Sequence, residues 1–226
     1  MADLSQNLKQ IQAHMVCAAQ KAGRSAEDVM LIAVSKTKPV DAIELALAAG
    51  QRCFGENRVQ EAARKFDLLR AEYADIDLHL IGPLQTNKVS QAVKIFDVIQ
   101  TVDRPSLAKA LAKEGQKRGA LPTLYIQVNS GKEAQKHGVM PEDLSVFYES
   151  CTQHYGLEID GLMCVPPVLE DPIPYFEALK RAADQLGVQH ISMGMSGDYE
   201  KAIACGATEV RVGSALFGTR EKVALR

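Results

Sequence analysis

Apolar residues recur along the first twenty positions at the spacing of one helical face. They are separated by three or four residues, which is the period of an α-helix, and a glycine, Gly23, follows the last of them. The set comprises Leu4, Leu8, Ile11, Met15 and Ala19. The pattern predicts an N-terminal helix that ends near Gly23.

Short apolar runs then alternate with longer amphipathic stretches. The runs, rich in Val, Ile and Leu, predict buried strands over 30–35, 52–55, 78–81, 98–101, 123–129, 158–163, 190–192 and 209–212. Helical spacing predicts helices over 41–49, 59–72, 106–118, 143–153, 173–185 and 199–204, with weaker helices near Asn87 and after Gly213. Strands that are each followed by a helix predict an α/β fold, a single (β/α)8 TIM barrel with an extra N-terminal helix. We expect one domain over residues 1–226.

Composition narrows the functional classes. Of the 226 residues 46% are hydrophobic, and the net charge of −2 gives no strong field to attract nucleic acid or an anionic membrane. The N-terminus lacks the basic start and apolar run of a signal peptide, and no apolar stretch approaches the ~20 residues of a membrane helix. Five dispersed cysteines without a CxxC pair predict reduced thiols and no zinc site. We expect a cytoplasmic protein that binds neither nucleic acid nor a membrane.

Lys36 stands at the end of the first predicted strand, in the segment Ala-Val-Ser-Lys-Thr-Lys-Pro. Functional groups of TIM barrels collect at the C-terminal ends of the strands. Alternation along the strand puts Val34 and Lys36 on one side and Ala33 and Ser35 on the other, but it does not say which side faces the barrel. The lysine is therefore either a solvated loop residue or an amine whose pKa is lowered by burial and by nearby Lys38, able to attack an aldehyde.

Arg211 lies between two valines in the last predicted strand. A buried guanidinium needs a partner, which is either an acid on a neighbouring strand, such as Glu56, or a ligand. Glycine–serine turns follow the seventh and eighth strands, at 192–198 and at Gly213-Ser214. Their backbone N–H groups and hydroxyls can hold an anion, and these are the loops in which barrel enzymes commonly bind phosphate.

The first and eighth strands are neighbours in a closed barrel, so Lys36, Arg211 and the two turns are expected at one mouth. A ligand with an aldehyde, a phosphate and a ring nitrogen would engage all of them, and pyridoxal 5'-phosphate (PLP) has all three. An arginine that faces the pyridine nitrogen keeps it unprotonated, because two cations repel each other. The cofactor is then a weaker electron sink than one paired with a carboxylate.

Seven blocks of sequence, in order along the whole chain, resemble the pyridoxal phosphate homeostasis protein family, whose fold is like the N-terminal barrel of alanine racemase. The blocks are AVSKTKP (33–39), FGENRVQE (54–61), HLIGPLQTNK (79–88), VNSGKEAQKHG (128–138), GLMCVPP (161–167), SMGMSGDYEKAI (192–203) and VRVGSALFG (210–218). The last motif more often contains Gly-Thr in the family, and Ser214 keeps the hydroxyl but lacks the methyl group.

The resemblance implies that Lys36 forms a Schiff base with PLP and that Arg211 contacts the pyridine nitrogen. It also implies that Ser196, Gly213 and Ser214 hold the phosphate. Asn57 is expected to contact the ring, and Met193 to form part of the pocket wall. The family is thought to bind, buffer and deliver PLP in vitamin B6 homeostasis, without a defined amino-acid transformation. Apo PLP-dependent enzymes are the candidate recipients, and both a monomer and a weak dimer remain open.

Two other functions are compatible with parts of this pattern. A PLP-dependent racemase would use the same site, but racemases of this barrel type take a second base from a C-terminal β domain, for which about eight residues after the last motif leave no room. A Schiff-base aldolase would use Lys36 and the phosphate site without a cofactor, but it gives no reason for Arg211. His79, near the start of the third strand, is expected to be a hydrogen-bonding core residue.

Overall fold

Eight parallel strands close into a barrel in the computed structural model, which describes residues 4–218. In chain order the strands are β1 (Met30–Val34), β2 (Cys53–Glu56), β3 (Asp77–Leu80), β4 (Val98–Val102), β5 (Thr123–Val128), β6 (Gly161–Cys164), β7 (His190–Met195) and β8 (Glu209–Val212). Each strand pairs with the next, and β8 pairs with β1 to close the sheet. The predicted TIM-barrel fold is confirmed.

Helices connect the strands and surround the barrel. They are α1 (Leu4–Lys21), α2 (Val40–Ala48), α3 (Val59–Glu72), α4 (Val89–Ile95), α5 (Pro105–Arg118), α6 (Leu144–Glu149), α7 (Ile173–Leu186), α8 (Tyr199–Ala204) and α9 (Ser214–Phe217). The two weakly predicted helices are present as α4 and α9, and the N-terminal helix α1 packs against α8 and α9. Among residues 4–218, no helix combines the length and the apolar character needed to cross a bilayer.

Strand residues alternate between two environments. Outward-facing residues such as Leu31 and Ala33 join the hydrophobic core beneath the helices. On the inside of the barrel, Ser192, Glu209 and Arg211 are each at most 4% exposed. TIM barrels usually fill this space with Val, Ile and Leu. A polar interior is stable only when its groups are hydrogen-bonded to one another, because a buried polar group without a partner is costly.

The sixth and seventh strands differ from their predicted bounds. The apolar run predicts a start of the sixth strand at residue 158, but Leu157 and Ile159 are buried without strand pairing and β6 begins at Gly161. The seventh strand runs three residues beyond its predicted end, to Met195. Its pairing with β8 continues there after a register shift between Ser192 and Met195. Gly194, with φ of 87°, supplies the conformation that this irregularity needs.

Gly82 lies where the chain passes close to the backbone of Asn57, and its replacement should lower stability. A Cβ atom at this position, in the loop after β3, would lie 2.4 Å from the backbone oxygen of Asn57. We expect Gly82→Ala to lower the free energy of unfolding by about 1–3 kcal/mol, because one of the two backbones must move. Gly197→Ala is the matched control, since a Cβ there meets nothing within 4 Å. Urea titration measures both variants, and a Gly82→Ala protein as stable as the control would contradict the packing described.

Candidate functional site

A cavity of about 440 Å³ opens at the C-terminal ends of the barrel strands. Its wall includes apolar side chains that the sequence did not indicate, namely Ile81, Val165 and Met195. Its polar groups come from the loops that follow β1, β2 and β7 and from β8 and its loop. The cavity brings together six predicted site residues, which are Lys36, Asn57, Ser196, Arg211, Gly213 and Ser214.

The cavity shows which side of β1 carries Lys36. Val34 and Lys36 both line it, whereas Ala33 belongs to the core beneath the helices. Because side chains alternate along a strand, this arrangement directs Lys36 toward the mouth of the barrel. The choice that the sequence left open is therefore settled in favour of the inward orientation.

A strained turn carries Lys36. The Lys38 N–H group donates a hydrogen bond to the Ser35 carbonyl oxygen at 3.0 Å, and Thr37 inside this turn has φ of 63°. Residues other than glycine rarely adopt this left-handed conformation, and such strain concentrates at functional sites. The Thr37 N–H group donates to Glu61 Oε1 of α3 at 2.6 Å, so the strained residue is held from outside the turn.

Lys65 of α3 also binds the same turn through hydrogen bonds. Its Nζ atom donates to the Ser35 carbonyl oxygen at 2.9 Å, to Glu56 Oε1 at 3.0 Å and to Glu61 Oε1 at 2.6 Å. Burial alone raises the pKa of Glu61, but hydrogen bonds from Lys65 and from the Thr37 N–H group outweigh it and leave that pKa below its ordinary value. The carbonyl before the candidate lysine and the amide after it are thus both bound by α3.

Arg211 reaches the cavity from β8. Its Nη1 atom donates to Ser192 Oγ at 2.6 Å and its Nη2 atom to the Cys164 carbonyl oxygen at 2.8 Å. Burial lowers the pKa of Arg211 below its ordinary value. An ion pair with Glu56, the alternative that the sequence offered, does not form, because Glu56 Oε1 is bound by Ser35 and Lys65 on the helical side of the sheet.

Ser196 joins the loops after β7 and β8. Its Oγ atom accepts the N–H groups of Gly213 at 3.1 Å and of Ala215 at 3.4 Å. Ser214 lies between them, exposed at the start of α9. The Ser196 and Ser214 hydroxyls and the backbone of Gly213 therefore lie at one edge of the cavity, where the Gly213 N–H group donates to Ser196 Oγ. This is a donor set that suits a phosphate group.

Lys38 also has a structural contact beside the cavity. Its Nζ atom donates to the carbonyl oxygens of Phe217 and Gly218, both at 3.0 Å. These carbonyls lie at the C-terminal end of α9, where backbone acceptors lack partners within the helix. The ammonium group of Lys38 therefore fixes the helix that follows the phosphate-type loop.

Met193 does not line the cavity, which corrects the expectation from the family resemblance. It is fully buried in the hydrophobic core, whereas Met195 lines the cavity. Ser192 faces the inside of the barrel, where it is hydrogen-bonded to Arg211, so its neighbour Met193 faces outward. The register shift between Ser192 and Met195 then reverses the alternation and turns Met195 inward.

Asn57 offers the cavity an acceptor without a partner. Its Oδ1 atom is buried and receives no hydrogen bond from the described residues. An unsatisfied buried acceptor costs on the order of 1–3 kcal/mol, which a ligand that donates to it would recover. The lysine amine, the guanidinium group and the hydroxyls at the loops fit the aldehyde, the ring nitrogen and the phosphate of PLP, and the amide oxygen fits the hydroxyl group of its ring, which can donate.

The residues that hold the lysine turn were missed from the sequence. Glu61 and Lys65 have the i, i+4 spacing of an ordinary helix-stabilising pair, so the spacing indicates an exposed ion pair rather than a clamp on another element. Their role follows only from the packing of α3 beside the end of β1. By contrast, Met195 could have been found from the glycine that precedes it, since glycine inside a strand often marks a bulge.

The chain is similar to known proteins along nearly all of its length. The family model described as alanine racemase, N-terminal domain, matches residues 4–221. The pyridoxal phosphate homeostasis protein of Pseudomonas aeruginosa is 42% identical over 230 residues, covering 98% of this chain and 97% of that protein. Its counterpart in Vibrio cholerae is 39% identical over 231 residues, covering 98% of each.

Solved structures show the same relationship. PipY of Synechococcus elongatus, in a structure with PLP bound, superposes with a TM-score of 0.83 at 36% identity and covers 95% of this chain and 100% of PipY. An alanine racemase of Clostridium difficile superposes with a TM-score of 0.70 at 14% identity, covering 94% of this chain and 57% of the racemase. The second likeness is one of fold alone.

The clamp on the lysine turn can be tested in the protein without ligand. Glu61→Gln replaces a charged acceptor by a neutral one, so we expect hydrogen–deuterium exchange of the Thr37 amide to become about tenfold faster. Acidification should lower the protection of the Thr37 amide relative to its intrinsic exchange rate, because the pKa of Glu61 is depressed and its carboxylate is lost as pH falls through that value. Glu72→Gln, an exposed change on the same helix, is the control. Equal exchange in both variants would contradict the clamp.

Proposed function

This chain belongs to the alanine racemase N-terminal domain family, among the pyridoxal phosphate homeostasis proteins, and we propose that it holds PLP as a Schiff base on Lys36. The protein binds PLP and acts in intracellular vitamin B6 homeostasis by buffering or delivering it. The observation that carries the proposal is the single cavity that Lys36 shares with the loops after β7 and β8. The structure of PipY with PLP bound supports the same ligand.

Each polar group of the cavity has a counterpart on PLP. The Lys36 amine condenses with the aldehyde, and the Arg211 guanidinium faces the pyridine nitrogen. The phosphate is held by Ser196, Gly213 and Ser214, and the ring is contacted by Asn57 and by the apolar wall. When bound, PLP supplies an electron-withdrawing ring conjugated to the imine. The positive charge of Arg211 keeps the ring nitrogen unprotonated and so weakens that electron sink.

The composition of the cavity favours holding PLP over transforming amino acids. Racemisation by this cofactor uses two bases placed on opposite faces of the substrate α-carbon. In the part of the chain that the structure describes, no carboxylate, histidine or tyrosine lines the cavity. Lys36 is occupied by PLP in this proposal, and the Lys38 ammonium is bound to two carbonyl oxygens. We therefore propose that PLP leaves unchanged and passes to apo PLP-dependent enzymes.

The setting of the protein is part of the same proposal. We propose a cytoplasmic protein in which residues 1–226 form one PLP-binding unit, present as a monomer or a weak dimer. The small net charge of −2 and the five dispersed cysteines support a reducing compartment without a nucleic-acid or membrane partner. A PLP-dependent racemase that uses the same cavity is the alternative function.

Replacement of Lys36 tests the covalent attachment. Lys36→Ala should abolish the imine absorbance of the protein mixed with PLP, because the nucleophilic amine is gone. Lys36→Arg is the matched control for charge, since it keeps the cation but forms no stable imine, and it should lose the absorbance equally. Lys132→Ala, which removes an exposed lysine paired with Glu142, should keep it.

An imine band that survives in both Lys36 variants would contradict the assignment. The same proteins test the racemase alternative. After incubation with L-alanine, chiral chromatography should show no D-alanine above the amount that free PLP forms. Sustained racemisation that disappears in Lys36→Ala would favour the enzyme.

Ser214 tests the phosphate site. Ser214→Ala should weaken PLP binding by about 1–2 kcal/mol, the value of one hydrogen bond to a charged group. Ser214→Thr keeps the hydroxyl and should bind PLP as the wild type does. Fluorescence titration with PLP compares the two. Unchanged affinity in Ser214→Ala would show that the backbone N–H groups hold the phosphate without the hydroxyl.

A further inference from the structure

The inside of the barrel below the cavity contains a connected set of polar side chains. Gln100 of β4, Ser192 of β7 and Glu209 and Arg211 of β8 are each at most 4% exposed. PLP binding accounts for Arg211 but gives no reason for a buried glutamine or a buried glutamate. Buried polar groups are retained at considerable cost unless they satisfy one another, so their hydrogen bonds indicate what they do.

The hydrogen bonds run in one direction from Arg211 to Glu209. Arg211 Nη1 donates to Ser192 Oγ at 2.6 Å, and Ser192 Oγ donates to Gln100 Oε1 at 2.7 Å. Gln100 Nε2 then donates to Glu209 Oε2 at 2.7 Å. An arginine only donates and a carboxylate only accepts, so the direction of every link is fixed. We call these four residues the barrel relay.

The barrel relay joins two opposite charges that do not touch. Within residues 4–218, no carboxylate oxygen lies within 4.0 Å of Arg211, whose described partners are the Ser192 hydroxyl and the Cys164 carbonyl. Burial of a guanidinium without a counter-ion costs several kcal/mol. Cys164, Glu209 and Asp198, in that order, oppose the effect of that burial on the Arg211 pKa, and of the two carboxylates only Glu209 is joined to Arg211 by the relay. Glu209 is thus the acid that the relay connects to the arginine.

Other groups around Glu209 hold the carboxylate in place. The Tyr125 hydroxyl donates to its Oε1 atom at 2.5 Å, and burial, followed by this negative charge, raises the pKa of Tyr125. His190 Nδ1 lies 3.4 Å from Oε1, and this contact raises the pKa of His190. Gln100 Nε2 donates to the other oxygen, Oε2, at 2.7 Å. Glu209 is therefore fixed by its neighbours on both oxygens.

Hydrogen bonds explain the arrangement of the residues beyond Gln100, around His79, without a metal. Cys53, Asp77 and His79 place potential ligand atoms within 4.8 Å of one another. However, His79 Nδ1 accepts an N–H group of Gln100 at 2.8 Å, so the proton resides on Nε2, which donates to Asp77 Oδ2 at 3.0 Å. Both ring nitrogens of His79 are thus engaged, and the three residues form an extension of the hydrogen-bond network.

We propose that Glu209 is the counter-ion of Arg211, coupled to it through Ser192 and Gln100, and that it acts as a positioning residue for the cavity. It holds the guanidinium at the place where it faces the ring nitrogen and balances its buried charge. The charge coupling stands on the described contacts alone, whereas its effect on PLP rests on the proposed function. The two parts are therefore tested in separate preparations.

The first test uses the protein without PLP. Glu209→Gln and Arg211→Met should each reduce the folding equilibrium constant by on the order of 100-fold, because each leaves a buried charge without its counter-ion. The double variant should lose far less than the product of the two effects, since neither charge then remains. Urea unfolding measures the cycle. A control cycle pairs Arg211→Met with Glu114→Gln, whose carboxylate binds Arg118 on α5, and there the effects should multiply.

Multiplying effects for Glu209 and Arg211, as in the control cycle, would overturn the charge coupling. Should Glu209→Gln fail to fold, Ser192→Ala decides the same point, because it breaks the relay without changing a charge. It should then reduce the effect of Arg211→Met when the two are combined. Independent effects of Ser192→Ala and Arg211→Met would contradict the proposal.

The second test uses the protein loaded with PLP and follows the absorbance of the protonated imine as pH is varied. Glu209→Gln removes a negative charge from inside the barrel, so the imine should lose its proton at a pH lower by on the order of one unit. Ser192→Ala should shift the midpoint in the same direction by less. Tyr125→Phe removes another hydrogen bond of Glu209 but leaves the relay intact, so it should shift the midpoint by less than Ser192→Ala does.

The outcomes separate the two proposals. An unchanged or raised midpoint in Glu209→Gln would overturn the positioning role, and a shift in Tyr125→Phe as large as that in Ser192→Ala would overturn the relay as its route. Failure of the wild-type protein to form any imine would contradict the proposed function. In that case the unfolding cycle still decides whether Glu209 and Arg211 are counter-ions.

Discussion

The pairing of β8 with β1 is the constraint on which the site depends. In this register Ile32 lies opposite Arg211 and Ala33 opposite Val212, so the chain leaves both strands at the same point of the rim. In an open sheet of this strand number, the first and last strands would be roughly 34 Å apart, at about 4.8 Å per strand. Closure of the barrel therefore turns Lys36 and the Gly213–Ser214 loop, which are distant in sequence, into one cavity.

Two hydrogen-bond systems support this cavity from different sides of the sheet. On the helical side, Lys65 and Glu61 bind the groups that flank the lysine turn. Inside the barrel, Ser192 links Arg211 to the residues beneath it. Buried charge networks add little net stability compared with apolar packing, but removal of one partner is costly. Both systems thus act mainly by fixing where the charged groups of the cavity lie.

The sequence predicted the fold and most of the cavity, because each depends on a strong local or repeated pattern. Strand and helix alternation gave the barrel, and barrel closure then placed Lys36 beside the glycine–serine loops. The orientation of Lys36 could not be decided, since alternation gives two equivalent sides until the packing is known. Met193 was misplaced because one irregularity at Gly194 reverses that alternation. The partners of Arg211 and Glu56 lie on elements whose contacts no spacing in the sequence reveals.

We propose above all that the first strand presents its terminal lysine to PLP at the mouth of the barrel. Borohydride reduction of the loaded protein, followed by proteolysis and mass spectrometry of the peptides, locates the attached ligand directly. We expect a pyridoxyl group on Lys36 in near-stoichiometric yield. Modification confined to another lysine, or protein recovered without any attached group, would contradict it.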